Sequence, residues 1–212
     1  MSDCPPATMI ASEYETELYT SETYAEGAGT VLFRLATREV CVLRSRGRDE
    51  RVLPRGRRRV DEAPGDAAVR ETAEETGFSC RLLPVNMVSW ALPPGGDPEP
   101  EQETEIETEI DEPRIHKGVC EPIGLQLRRE DDIVELVWWF VAAVNEGEPR
   151  SRRHEERERE RPGVGFLSYE DALATLTSAD DRALVEKAIA VVNATQVSQK
   201  SRAATICFGQ PK

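Results

Sequence analysis

The sequence predicts an α/β domain, with a mixed β-sheet sandwiched between α-helices. Three observations predict it. The run Ile133 to Val144, "IVELVWWFVAAV", is apolar enough for a fully buried strand. Two shorter extended segments stand near the front of the chain. Helical periodicity appears in the middle and again at the end, so strands flank one helix and further helices close the chain.

In chain order, residues 1–26 are polar and aperiodic and are expected to form a flexible N-terminal arm. "GTVLFRL" (Gly29 to Leu35) and "EVCVLRS" (Glu39 to Ser45) predict two strands joined by a short polar turn. "RVLP" (Arg51 to Pro54) is a third extended piece, because Pro54 biases Leu53 away from helix. A helix follows over Ala67 to Thr76, with the Pro64-Gly65 turn before it, Asp66 as N-cap and Gly77 as its C-terminal stop. "SCRLLPVNMVSWAL" (Ser79 to Leu92) returns as extended chain broken near Pro84. The acidic, proline-rich stretch from about 93 to 131 has no core-forming pattern and reads as an insertion or long loop. After the Ile133 strand, the mixed-charge run from Glu148 to Gly163 reads as a solvated loop or short exposed helix. Two helices then follow, capped by Ser168 and by Ser178 or Asp180. Leu184, Val185, Ala188, Val191 and Val192 form the apolar face of the second. The expected domain is therefore 27–193, with 194–212 as a C-terminal tail.

Bulk composition narrows the function. A net charge of −13 argues against broad binding to nucleic acid, which needs a basic surface. Five cysteines without metal-ligand spacing fit reduced thiols, Cys41 and Cys80 lie in apolar runs expected in the core, and two histidines make a zinc site improbable. No apolar stretch is long enough to span a bilayer, and the N-terminus as written has no signal-peptide pattern. These features predict a cytoplasmic or nuclear location.

The chemistry is concentrated in "RGRRRVDEAPGDAAVRETAEETGF", Arg55 to Phe78, where arginines stand just ahead of clustered glutamates. On a helix, Glu71, Glu74 and Glu75 are spaced i, i+3, i+4 and share one face, while Val69, Thr72, Ala73 and Thr76 lie on the other. Like charges at this spacing repel by a few tenths of a kcal/mol, roughly. A hard divalent cation with oxygen ligands, Mg²⁺ or Mn²⁺, would offset that repulsion. Solvated acids on an exposed helix face are the common alternative.

Gly56, Glu62, Arg70, Glu71, Glu74, Glu75 and Gly77, with Phe78 after them, decide between the two. Their spacing resembles the Nudix box, G-x5-E-x7-R-E-U-x-E-E-x-G-U, where U is a bulky apolar residue. The one departure is Thr72, where that family prefers an aliphatic side chain. The resemblance implies a Nudix fold and hydrolysis of a diphosphate linkage by water attack at phosphorus, dependent on Mg²⁺ or Mn²⁺. It assigns Glu71, Glu74 and Glu75 as metal-binding residues, with Glu75 and Glu71 foremost, and the backbone carbonyl of Arg55 as a further ligand. Glu62 and Arg70 would join loop to helix. The general base would be a box glutamate or an acid on a later loop, with Glu130, Asp131, Asp132 and Glu135 as candidates.

The loop entrance "LPRGRRR" looks like the "LPKGR" entrance of Nudix enzymes acting on diphosphoinositol polyphosphates and dinucleoside polyphosphates. Arg55, Gly56, Arg57, Arg58 and Arg59 are accordingly expected to bind substrate, since guanidinium forks match phosphate oxygens. Arg44, Arg46 and Arg48 are candidates to extend that patch. A small polyphosphorylated molecule is the implied partner, and the oligomeric state stays open. Nucleoside diphosphate derivatives or mRNA caps are the alternative substrates, and a non-catalytic polyphosphate sensor is the alternative role. Trp138 and Trp139 face opposite ways on a strand, so at most one can line a pocket, and core packing is the expected role of both.

Overall fold

The computed structural model describes residues 16–45, 49–91, 113–130, 132–151 and 163–208. Most of the expected insertion (92–112), much of the mixed-charge run (152–162), Asp131, Arg46 and Arg48 lie outside them.

Strand β1 (Tyr24–Arg34) is the axis of the molecule. It pairs along ten residues in parallel with β9 (Ile133–Val144), from Tyr24 opposite Val134 to Phe33 opposite Ala143. Antiparallel partners flank this pair. β2 (Glu39–Arg44) and the short β4 (Arg55–Arg57) lie against β1, and β5 (Cys80–Leu82) and β8 (Gly124–Glu130) against β9. β3 (Arg51–Val52) and β10 (Val164–Ser168) pair with β2. A separate two-stranded sheet joins β6 (Val85–Ser89) to β7 (Arg114–Val119).

Alternation along the strands divides the core into two layers. Ala28 and Leu32 of β1 and Phe140 and Ala142 of β9 point to one face, where Ala67 and Ala68 of α1 (Pro64–Thr76) cover Ala28 and Phe140. Val31, Phe33, Val137, Trp139 and Val141 point to the other. There α2 (Tyr169–Thr175) and α3 (Ala179–Phe208) supply Ala172, Val185, Ala188, Val191 and Val192. The expected sheet between helices is therefore present, and β9 has the bounds read from its apolar run. Trp139 is in the second layer and Trp138 packs with Ala67 and Ala68 in the first, so both serve the core. Cys41 and Cys80 are buried, and burial pushes the Cys80 thiol up to about 11.

Several boundaries differ from expectation. β1 begins at Tyr24, inside the expected arm, because its parallel pairing to β9 starts there. α1 begins at Pro64, which is itself the first helical residue. Ala63 stands at the cap without a side-chain bond, and Asp66 falls in the first turn. Ser168 accepts from the Asp171 backbone as the cap of α2, and Ser178 rather than Asp180 accepts at the start of α3. α3 runs on to Phe208, through most of the expected tail. Within the expected insertion, Arg114–Val119 form β7 and Gly124–Glu130 form β8. Among the described residues, no helix is long and apolar enough to cross a membrane.

Candidate functional site

β4 and α1 bring the box residues together. β4 is short because Pro54 precedes it and α1 follows after a brief turn, yet its register on β1 is definite: Arg55 opposite Gly29, Gly56 opposite Ala28, Arg57 opposite Gly27. Partners across a ladder share a face, so Gly56 faces α1 with Ala28, while Arg55 and Arg57 face α3. The Thr30 amide donates to the Pro54 carbonyl and the Arg58 amide to the Glu26 carbonyl. Both are bonded positions of the ladder, and Arg55, midway between bonded positions, turns its N–H and C=O outward. That N–H donates to Glu75 Oε2 at 3.0 Å.

Glu71 lies against Gly56. A Cβ built on Gly56 would fall 2.0 Å from Glu71 Oε2, so only glycine leaves this carboxylate where it is. Arg70 holds the other side of the cluster. Its Nε donates to Glu62 Oε1 at 2.6 Å, one terminal nitrogen reaches Glu62 Oε2 and the Arg57 carbonyl, and the other reaches Glu71 Oε1. Glu62 also accepts from the Arg59 amide. The Arg70 guanidinium and that amide hold the Glu62 carboxyl down at about 2. Gly77, at φ 75°, closes α1 with its N–H on the Ala73 carbonyl. Thr72, the departure from the box pattern, is fully buried, and its hydroxyl is 2.8 Å from that of Thr30 on β1. A hydrogen bond between β1 and α1 thus stands where an aliphatic contact was expected.

The acids do not close into one triad. Among the described residues no three His, Cys, Asp or Glu side chains are grouped to hold an ion. Glu74 is drawn to Arg59 at 3.2 Å and to Arg70 at 3.5 Å. Glu75 instead meets the outward backbone edge of Arg55, and Glu71 lies against the α1-facing side of Gly56. Two carboxylates and one outward carbonyl form an all-oxygen donor set, which fits Mg²⁺ or Mn²⁺.

The arginines separate in the same way. The Arg58 side chain binds Glu26, which also receives the Trp138 indole N–H at 3.4 Å, and donates to the Glu62 carbonyl at 2.9 Å. Arg55 pairs with Glu135 at 2.9 Å. Arg57 is exposed, and Arg44 pairs with Asp49 away from the box. Of the acids named outside the box, Glu135 alone among the described side chains is seen to reach the loop, and Asp132 is exposed.

Sequence reasoning passed over Glu26, Thr30, Arg128 and Asp181. Arg128 lies opposite Glu135 on β8, with 3.4 Å between Nη1 and Oε2. The signal was available, because Asp131-Asp132 between alternating segments marks a hairpin whose register sets 128 against 135. Asp181, buried in the first turn of α3, accepts from the Leu53 backbone. Burial raises its pKa, against the opposing pull of Leu53 and Arg55. Nothing local in the sequence marks that long-range contact.

A family model described as "NUDIX domain" matches residues 23–188. Two solved structures of C. elegans Ap4A hydrolase resemble the chain. One has 18% identity and a TM-score of 0.51, covering 80% of this chain and 99% of that one. The other, a binary complex, has 19% identity and a TM-score of 0.52, covering 80% and 98%. A Nudix-family hydrolase from Clostridium perfringens aligns at 15% identity with a TM-score of 0.48, over 82% and 99% of the two chains. At 18% and 19% identity the likeness to the two Ap4A hydrolase structures is one of fold. No curated protein sequence matches the chain significantly.

Proposed function

Since the chain belongs to the NUDIX domain family and is a Nudix-type diphosphate hydrolase, we propose that it cleaves phosphoanhydride bonds in diphosphoinositol polyphosphates or dinucleoside polyphosphates, using Mg²⁺ or Mn²⁺. One observation carries this reading: Glu75 on the outward edge of Arg55 and Glu71 against the face of the adjacent Gly56 bring two carboxylates to this loop, beside an arginine-rich entrance.

In this reading Glu71, Glu75 and the Arg55 carbonyl would hold the metal, which would neutralise phosphate charge and strengthen the attacking water as a nucleophile. The chain's own residues do the rest. Arg70 and Glu62 fix the loop against α1, so that Glu71 meets Gly56 rather than solvent. The Arg55 amide orients Glu75. Glu74, more exposed and shared by Arg59 and Arg70, contributes negative charge at the rim. Arg57 and Arg59 lie at the exposed entrance, where they can pair with phosphate oxygens. Arg58 is committed to Glu26 and braces the loop. Water attacks phosphorus, the bridging P–O bond breaks, and the displaced phosphate leaves with the electron pair. A carboxylate takes the proton. Glu71, Glu75 and Glu135 all contact Arg55 or Gly56, and replacing each in turn assigns that role.

The test is phosphate release from a substrate panel with and without metal. Release from diphosphoinositol or dinucleoside polyphosphates supports the reading. Turnover confined to nucleoside diphosphate sugars or capped RNA would refute it.

A further inference from the structure

We propose that Arg128, aligned with Arg55 by Glu135, carries the phosphate-binding surface onto the α3 face of the sheet, where it holds phosphates beyond the scissile pair. This rests on the hydrolase reading above and specifies how the site selects long phosphate chains.

Register places the three side chains together. Glu135 lies opposite Arg128 across the β8–β9 ladder, and Arg55 reaches it from β4. Both guanidinia meet the same oxygen, Glu135 Oε2, Arg55 at 2.9 Å and Arg128 at 3.4 Å. A Cβ built on Gly27, the partner of Arg57, would lie 3.4 Å from Glu135 Oε1, so Arg57 leaves β4 on the face that this group occupies. Two arginines thus share one carboxylate, with Arg57 on the same face. Even with Asp181 acting on Arg55, three guanidinia face two carboxylates, and the group keeps a surplus of positive charge in a chain whose net charge is −13. It is also accessible: the Arg128 and Arg55 side chains are 39% and 28% exposed.

On the α1 face the charges are arranged differently. Arg70 is enclosed by Glu62 and Glu71, and Arg58 by Glu26 and backbone carbonyls. Charge matched in that way has little left for a ligand. Alternation along β4 turns Arg55 and Arg57 toward α3, whereas Arg58, just past the strand, braces the loop on Glu26. A substrate whose scissile diphosphate lies at Arg55 and Gly56 would place its further phosphates on Arg57 and Arg128. One shared carboxylate holds the guanidinia in position before substrate arrives, which reduces the ordering cost of binding.

The experiment compares wild type, R128A and R128K on a dinucleoside tetraphosphate, a diphosphoinositol polyphosphate and a nucleoside diphosphate sugar, with melting curves for each variant. The binding of inositol hexakisphosphate, which has no scissile anhydride, is measured by titration calorimetry without metal. R128A is expected to raise KM for the two polyphosphates by about 10-fold with kcat nearly unchanged, the size of one charge-assisted contact at a part-exposed position. R128K should recover part of the loss, the sugar nucleotide should be unaffected, and inositol hexakisphosphate should bind R128A several-fold more weakly. Equal KM values for wild type and R128A on every substrate would overturn the proposal, as would a uniform loss on all three with a lowered Tm. Absence of turnover by wild type would instead defeat the hydrolase assignment, while the calorimetry would still decide the role of Arg128.

Discussion

The two faces of β4 carry similar residues to opposite effect. Toward α1, Arg70 and Arg58 are enclosed by Glu62, Glu71 and Glu26, together with backbone carbonyls, and their charge goes into fixing the loop. Toward α3, Arg55 and Arg128 share Glu135 with Arg57 on the same face, and positive charge is left over. Arginine density alone therefore does not identify a phosphate site. What matters is how many carboxylates each guanidinium already satisfies, and the elements that carry each arginine and its partners decide that.

The comparison is tested most severely on the α1 face. Replacing Glu75 by Gln removes a charged oxygen at the Arg55 edge and should lower kcat by at least about 10²-fold, with the melting temperature little changed. Activity close to wild type in phosphate-release assays would exclude Glu75 as a ligand. Next in size is G56A. The new methyl would collide with the end of the flexible Glu71 side chain, so the fold should persist while Glu71 swings away. Activity should fall about 10- to 100-fold with near-native circular dichroism, the scale seen when a ligand's support is lost.

E62Q should weaken the loop clasp and reduce kcat by roughly 10-fold, at the lower end of that range. Its effect on stability depends on pH in a definite direction. Glu62 sits at about 2 in the folded protein, below the roughly 4.3 of an unfolded glutamate. Its contribution is then fully present above the unfolded value and is lost as pH falls through the folded one. Urea titrations should show a constant deficit for E62Q from pH 7 to about 5, vanishing near pH 2. A deficit that grows on acidification would contradict the clasp. The smallest effect belongs to Thr72. T72V strands the Thr30 hydroxyl and should cost about 1–3 kcal/mol, most of it regained in T30V/T72V. Additive losses in the double variant would mean that the two hydroxyls do not interact.

The box was legible because its roles depend on local spacing. Three and four residues along a helix put Glu71, Glu74 and Glu75 on neighbouring positions whatever the rest of the chain does. β9 was legible because burial on both faces leaves a continuous apolar run. Several other features depend on partners distant in sequence. β10 follows a charged run and reads as a strand only once it lies beside β2. β4, with the sequence Arg-Gly-Arg, has no strand propensity and exists because β1 offers an edge. Arg58 resembled its neighbours in composition, and Glu26, which holds it, lay in a stretch read as an arm. The turn from Glu74 to Arg59 likewise comes from a loop whose course local spacing does not specify.

Manganese binding bears on the central claim without relying on turnover. Titrating Mn²⁺ into wild type and into E71Q/E75Q, followed by electron paramagnetic resonance, should show an ion bound by the former and at least 10-fold weaker binding by the latter, on the order expected for losing charged oxygen ligands. Equal affinity in the two proteins would mean that these glutamates do not hold the metal.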